Sequence, residues 1–274
     1  MAIISMLIKS YLVVLLLRSV MTRQELYFNP FGKMVAKLTD PLMEKLLKLN
    51  KKNADRSTLL FILLATALTA LLYYAMGGMS LAISAFFAIS DMLNFLMMFY
   101  IVSIILGIFA GNSRMSYFSM YFNRLGSFWV NAVRAILPIR SNAVAVPAIV
   151  FVFVFFTVVN GAVILFMQHG TDFTFVSSSL ISSMFMSLKS GLLSIVSLLG
   201  IYIWVIIIRA LMSWVSPDPS NPVVQTIIAL TDPVLVPFSR IIPPLGPVDI
   251  SPMILIFLLY FLKNMLLRLI GMLL

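Results

Sequence analysis

Long apolar runs separated by two kinds of polar stretch divide the chain. Residues 2–20 form the first run, interrupted by Lys9 and closed by Arg18, and residues 58–76 form the second, ended by a Gly77-Gly78 turn. Residues 79–110 are too long for one perpendicular crossing at about 1.5 Å rise per residue. Asp91 and Asn94 divide them into an interfacial or tilted lead-in at 79–90 and a third span at 92–110. Pro147 opens a fourth span at 147–168, with Asn160 near its middle. Residues 169–189 are mildly polar, contain His169 and Asp172, and read as a second lead-in before spans at 190–212 and 252–273. A closed β-barrel would show short alternating segments instead of unbroken runs. The pattern predicts an all-α membrane protein with about six transmembrane helices.

The polar stretches carry a repeating grammar. After Arg209 and Trp214 come Asn221-Pro222, Thr231-Asp232-Pro233, Arg240 and Asp249-Ile250-Ser251-Pro252. Asn and Asp are favoured N-caps and proline suits the first helical position, so this loop predicts two short helices, starting near Pro222 and Pro233. Near the N-terminus, Arg18 is followed by Asn29-Pro30 and Thr39-Asp40-Pro41. Asn to Thr is ten residues in both copies, and Arg to Asn is eleven in one and twelve in the other. Residues 111–146 faintly echo the pattern at Arg134 and Pro138, without the Thr-Asp-Pro element. The expected organisation is three repeated helical-hairpin units at 1–78, 79–168 and 169–274, with Pro-rich, short-helix loops.

Composition agrees with membrane residence, since 62% of the residues are hydrophobic and only 10% charged, against roughly 25% charged in soluble domains. The net charge of +10 is topology information before it is a nucleic-acid signal. The loops after spans one, three and five hold eight, four and one basic residues, which the positive-inside rule assigns to the cytoplasm, with both termini outside. The multi-pass chain is therefore expected in a bacterial inner membrane. Residues 41–52 set apolar and basic positions at helical spacing, a pattern suited to anionic lipid headgroups. Eight basic residues in the first loop are partly offset by Glu25, Asp40, Glu44 and Asp55, so nucleic acid is an unlikely partner. With no cysteine and a single histidine, disulfides, thiol chemistry and a multi-histidine metal site are excluded within the chain. No cofactor is expected.

The set Arg209, Trp214, Asn221-Pro222, Thr231-Asp232-Pro233, Pro237, Arg240, Pro243-Pro244 and Asp249-x-Ser251-Pro252 resembles the YggT (YlmG) family of small membrane proteins. The resemblance covers roughly residues 195–270, with a degenerate copy at the N-terminus. It implies hairpin units, commonly two per member. It also implies association with envelope or division functions in bacteria, assembly of membrane complexes in plastids, and, for some bacterial members, osmotic response.

Two groups of residues are candidates for function. The first is the loop grammar: Arg18, Asn29, Asp40, Arg209, Trp214, Asn221, Thr231, Asp232, Arg240, Asp249 and Ser251. Arg18 and Arg209 either snorkel to the interface or pair with Asp40 and Asp232; the two aspartates serve equally as plain N-caps. The second is the set of polar groups at membrane depth, Lys9, Asp91, Asn160 and Lys263, where charge is costly and asks for a partner or a cavity. Asp91 is a possible partner for either lysine. The sequence offers no paired-carboxylate site, no metal-ligand spacing and no phosphate-cradling loop, which argues against an enzyme. The first functional reading is a scaffold or assembly factor that docks a partner membrane protein, or another copy of itself, through cytoplasmic loops stiffened by proline. An ion channel or transporter linked to osmotic response is the alternative, with residues 231–250 dipping into the bilayer. A nucleoid or division-linked tether is the third.

Overall fold

A computed structural model describes residues 2–47, 54–108, 118–137, 142–169, 177–215, 218, 221–241 and 250–273. Among them there is no strand. Ten helices follow one another: α1 (Ala2–Ser19), α2 (Arg23–Phe28), α3 (Pro30–Leu47), α4 (Ala54–Gly77), α5 (Leu81–Ile108), α6 (Phe118–Ile136), α7 (Ala145–His169), α8 (Ser177–Val215), α9 (Pro222–Ile241) and α10 (Ser251–Leu273). Five of these are long and apolar enough to cross a membrane, at Thr58–Gly77, Leu81–Ile108, Ala145–Gln168, Ser179–Met212 and Ser251–Leu273. The first apolar run forms α1, only 18 residues long and carrying both Lys9 and Arg18, and it is not one of the five.

Long helices that follow one another in the chain run antiparallel, while α5 and α8 lie parallel, joined by Asn94–Ser190 and Met98–Ser197. α4 turns into α5 through Gly78, whose φ of 62° lies in the left-handed region that glycine enters without a Cβ penalty. α5 meets α7 through Phe86–Phe166 at one end and Tyr100–Phe156 farther along. α8 meets α10 where Gly200 lies against Lys263 and where Ile203 and Ile206 meet Leu255 and Leu259. The three amphipathic helices α3, α6 and α9 each follow an odd-numbered member of the predicted span series, so all three gather at one end of the bundle.

Two apolar cores result. The larger runs from α1 through α3 and α5 to α7, and includes Leu12, Leu16, Val35, Met97, Tyr121, Trp129 and Val152. The smaller belongs to the C-terminal third alone, with Ile203, Ile206, Leu235, Leu255 and Leu259. α6 is drawn deep against the larger core by Trp129, whose ring meets Tyr100, Phe151, Phe155 and Phe156. Close approach of α5 and α6 requires Gly126, where an added Cβ would stand 3.2 Å from the Ile104 backbone.

Three sequence expectations need correcting. Residues 79–90 are no separate lead-in: from Leu81 they are one 28-residue helix with span three. The polar pair that suggested a break is satisfied by other helices, Asp91 by Lys9 and Tyr73, and Asn94 by Ser190. The second lead-in is likewise continuous with span five from Ser177 onward, making a 39-residue helix. Its serines are satisfied within the bundle: Ser182 returns its hydroxyl to the Ser179 carbonyl, while Ser183 and Ser187 donate to Gln168 and to the Thr157 carbonyl of α7. Finally, each Thr-Asp-Pro lies inside one helix instead of starting a second, with Pro41 within α3 and Pro233 and Pro237 within α9.

The α2–α3 corner tests how tightly the N-terminal segment is built. A Cβ on Gly32 would fall inside the backbone carbonyl of Glu25. Gly32→Ala should therefore push α3 off α2 and destabilise the chain by about 1–3 kcal/mol, the usual cost of overpacking. Thermal unfolding of the detergent-solubilised protein measures this; an unchanged Tm would mean that the corner is loosely packed.

Candidate functional site

The loop helices α3 and α9 begin alike. Asn29 and Asn221 are N-caps whose Oδ1 atoms accept from the backbone N–H of Phe31 at 3.0 Å and of Val223 at 2.9 Å. The proline between cap and second residue supplies no N–H at the position where none is needed. Asn29 also donates through Nδ2 to the Tyr121 hydroxyl of α6, at 3.3 Å.

The middles of the two helices are alike as well. Thr39 and Thr231 are both fully buried, and each hydroxyl donates back to the carbonyl four residues earlier, Val35 at 2.7 Å and Ile227 at 2.8 Å. Back-bonding of this kind bends a helix and occupies the hydroxyl inside its own turn. Two residues on, the proline lacks an N–H and loosens the ladder. A tyrosine of the preceding long helix closes that region. Tyr11 donates to the Leu38 carbonyl and Tyr202 to the Leu230 carbonyl, both at 3.1 Å. The tetrapeptide is Leu-Thr-Asp-Pro in both places, and each tyrosine lies seven residues before its arginine. This offset was visible in the sequence, but tyrosine in an apolar run does not announce itself as an anchor.

The two arginines differ. Arg18 donates through Nη1 to Asp40 at 2.6 Å and also to the Thr39 hydroxyl, clasping α3 onto α1. Arg209 is half-buried, its Nε has no hydrogen-bond partner, and among the described residues it forms no ion pair with Asp232. The expected pairing therefore holds in the first copy and not in the second. Helix geometry accounts for this: α1 ends one residue after Arg18, whereas α8 continues for six residues past Arg209 before the chain turns back. Neither aspartate is an N-cap, because both sit within a helix.

Of the remaining loop candidates, Trp214 lies in the last turn of α8, Arg240 is exposed in the last turn of α9, and Ser251 is buried at the start of α10. Asp249, the Pro243-Pro244 pair and Lys48, Lys51 and Lys52 of the lipid-binding expectation lie outside the described residues. An unexpected link joins α2 to α6. Glu25 completes a capping box with Thr22 and accepts from Arg124 at 2.8 Å. The hydrogen bond from Arg124 holds its carboxyl below the usual value, with the Thr22 contacts adding to the effect against the opposing desolvation.

At membrane depth the structure joins some candidates and separates others. Lys9 of α1 donates to Asp91 Oδ1 of α5 at 2.7 Å, and its ammonium lies 5.9 Å from the Phe95 ring. Tyr73 of α4 donates to the other carboxylate oxygen at 3.1 Å, so three helices meet on one aspartate. Asn94, one turn on, donates to Ser190 of α8 at 2.7 Å. Lys263 is elsewhere, its ammonium lying over the bare backbone at Gly200. Asn160 is buried with neither amide atom hydrogen-bonded. Lys9, Asp91, Asn160 and Lys263 thus form no single connected chain of contacts among the described residues.

A bundle of long apolar helices with polar groups tied off between them defines a polytopic helical membrane protein. Residues 189–270 match the CCB3/YggT family model. The protein from Escherichia coli strain K12 named "Uncharacterized protein YggT" is 46% identical over 72 residues, 26% of this chain and 38% of that protein. An uncharacterized protein of Haemophilus influenzae is 37% identical over 82 residues, 30% of this chain and 45% of its own length. The similarity reaches beyond the C-terminal third in Vibrio alginolyticus, whose "uncharacterized protein in proC 3′ region" is 29% identical over 189 residues, 66% of this chain and 88% of that one. No solved structure matches. The chain carries a CCB3/YggT family unit at 189–270; it spans less than half the length of the first two relatives named.

Two outcomes follow from the geometry. Asp40→Asn should expose α3 to protease in membranes, whereas Asp232→Asn should leave α9 as resistant as before, because among the described residues only the first aspartate is clasped; limited proteolysis compares them directly. Removing one partner of a desolvated ion pair typically costs about 3–5 kcal/mol, while removing both costs far less. Lys9→Met and Asp91→Asn should therefore each destabilise the chain more than the double variant does, read as a double-mutant cycle in thermal unfolding.

Proposed function

We propose that this protein is a membrane scaffold or assembly factor, which docks and stabilises a partner membrane complex through α3 and α9. What supports this reading is the matched anchoring of those two helices by an Asn cap, a buried back-bonded threonine and a tyrosine hydroxyl from the bundle. A helix held at its start and middle presents a fixed surface, so little ordering entropy is lost when a partner binds. The outward positions of α9 include Val223, Val234 and Val236, and those of α3 include Met34 and Leu38. An apolar surface on a stiff frame suits a protein partner.

The same matched contacts support an internal repeat, with hairpin units at 1–78, 79–168 and 169–274 and α1 as a sixth, shorter span. Basic residues concentrated beside α2, α3 and α6 orient that end of the bundle toward the cytoplasm, in an inner membrane.

Purification of the tagged chain from its native membrane, beside a Val223→Asp, Val236→Asp variant, tests the reading. A stoichiometric partner present with the parent chain and absent with an equally stable variant is the expected result. A chain that emerges alone, or the same partner retained by the variant, would refute docking through α9.

A further inference from the structure

We propose that a cavity beside the α4–α5 turn is a binding site for a lipophilic ammonium cation, with Asp91 as its charge partner. The proposal is independent of docking through the loop helices.

The cavity measures about 650 Å³ and reaches from Gly77 and Met79 at the turn down to Asp91, Asn94 and Ser190. Asp91 lies ten residues into α5, about 15 Å along the helix from Leu81. The walls are apolar and soft: Phe86 and Phe87 from α5, Val163 and Met167 from α7, and Met186 from α8. Apolar walls with a few convergent polar groups at one end, in a space of roughly 300–1,000 Å³, are the common form of a small-molecule site.

The floor selects charge. Among the described residues Asp91 is the only charged one lining the cavity, and its side chain keeps 29% exposure. Lys9 approaches the same carboxylate without lining the cavity, so an anion entering it would meet a carboxylate and, among the described lining residues, no facing cation. A carboxylate has about four acceptor positions, of which Lys9 and Tyr73 occupy two. Asn94 turns its amide N–H toward Ser190, and its amide oxygen has no partner among the described residues. Carboxylate and amide oxygen together form an acceptor surface at that end of the cavity.

The walls select the kind of cation. A small hydrated metal ion would lose its water shell against phenylalanine, valine and methionine with little in return. An alkyl or aryl ammonium gains from both ends: its substituents bury against the walls, and its charge meets aromatic faces and a carboxylate. The protein already holds one ammonium in this way, since the Lys9 group sits between Asp91 and the face of Phe95.

The test uses the full chain in phosphatidylcholine nanodiscs, titrated with ethidium, a fluorescent aryl ammonium. Saturable one-site binding is expected, not displaced by the anionic dye anilinonaphthalene sulfonate. Val163→Trp fills the cavity from α7 and leaves the Lys9–Asp91 pair intact. It should weaken ethidium binding at least about tenfold, equal to 1.4 kcal/mol. The neutral Lys9→Met, Asp91→Asn double variant should lose a similar factor; if it does not fold, Val163→Trp decides alone. Non-saturating uptake, unchanged affinity in Val163→Trp, or equal competition by the anionic dye would overturn the proposal.

Discussion

A backbone carbonyl that loses its helix partner needs another donor, and a proline inside a helix orphans the carbonyl four residues earlier. Two prolines set this constraint here. Pro41 and Pro233 orphan the carbonyls of Lys37 and Ala229, and in both cases a tyrosine of the neighbouring helix donates to the next carbonyl, Leu38 or Leu230, in the turn that the proline loosens. That bond is also a tether. It fixes the rotation of α3 against α1 and of α9 against α8, and it places the adjacent threonine inside the packed interface. From this follow the small core of the C-terminal third, where Leu235 reaches Ile203, Ile206, Leu255 and Leu259, and the fixed outward face of α9.

Polar groups between the long helices obey the same rule. Asp91 ties α1, α4 and α5 together through Lys9 and Tyr73, and Asn94 ties α5 to α8. Each bond replaces solvation that the surroundings do not provide. The first copy of the loop grammar adds an ion pair, Arg18 with Asp40, while the second leaves Arg209 without one among the described residues. The two copies therefore share an anchor and differ in their clasp. The second Leu-Thr-Asp-Pro segment lies in the part of the chain that matches the family model.

What the sequence revealed depended on how local the physics was. The caps at Asn29 and Asn221 were legible because an N-cap and its proline act within three residues. The Thr-Asp-Pro elements carried the same local signal and misled, since contacts from Tyr11 and Tyr202, 27 and 28 residues away, kept the helices continuous. Asp91 and Asn94 suggested breaks in the third span for a similar reason. Their partners Lys9 and Ser190 lie 82 and 96 residues away, where single-chain periodicity has nothing to say. The pairing of Lys9 with Asp91 was open in the sequence only as one of two choices, and the packing of α1 beside α5 decided it.

The most direct measurement of the central claim is the distance distribution between α8 and α9 in nanodiscs. The chain contains no cysteine, so spin labels can be placed at will, and Ile201 and Val234 are exposed sites on the two helices. A tyrosine-anchored α9 predicts a single narrow distribution in the otherwise native chain, broadened when Tyr202 is replaced by phenylalanine. A broad distribution in the native chain, or one indifferent to that substitution, would contradict the account.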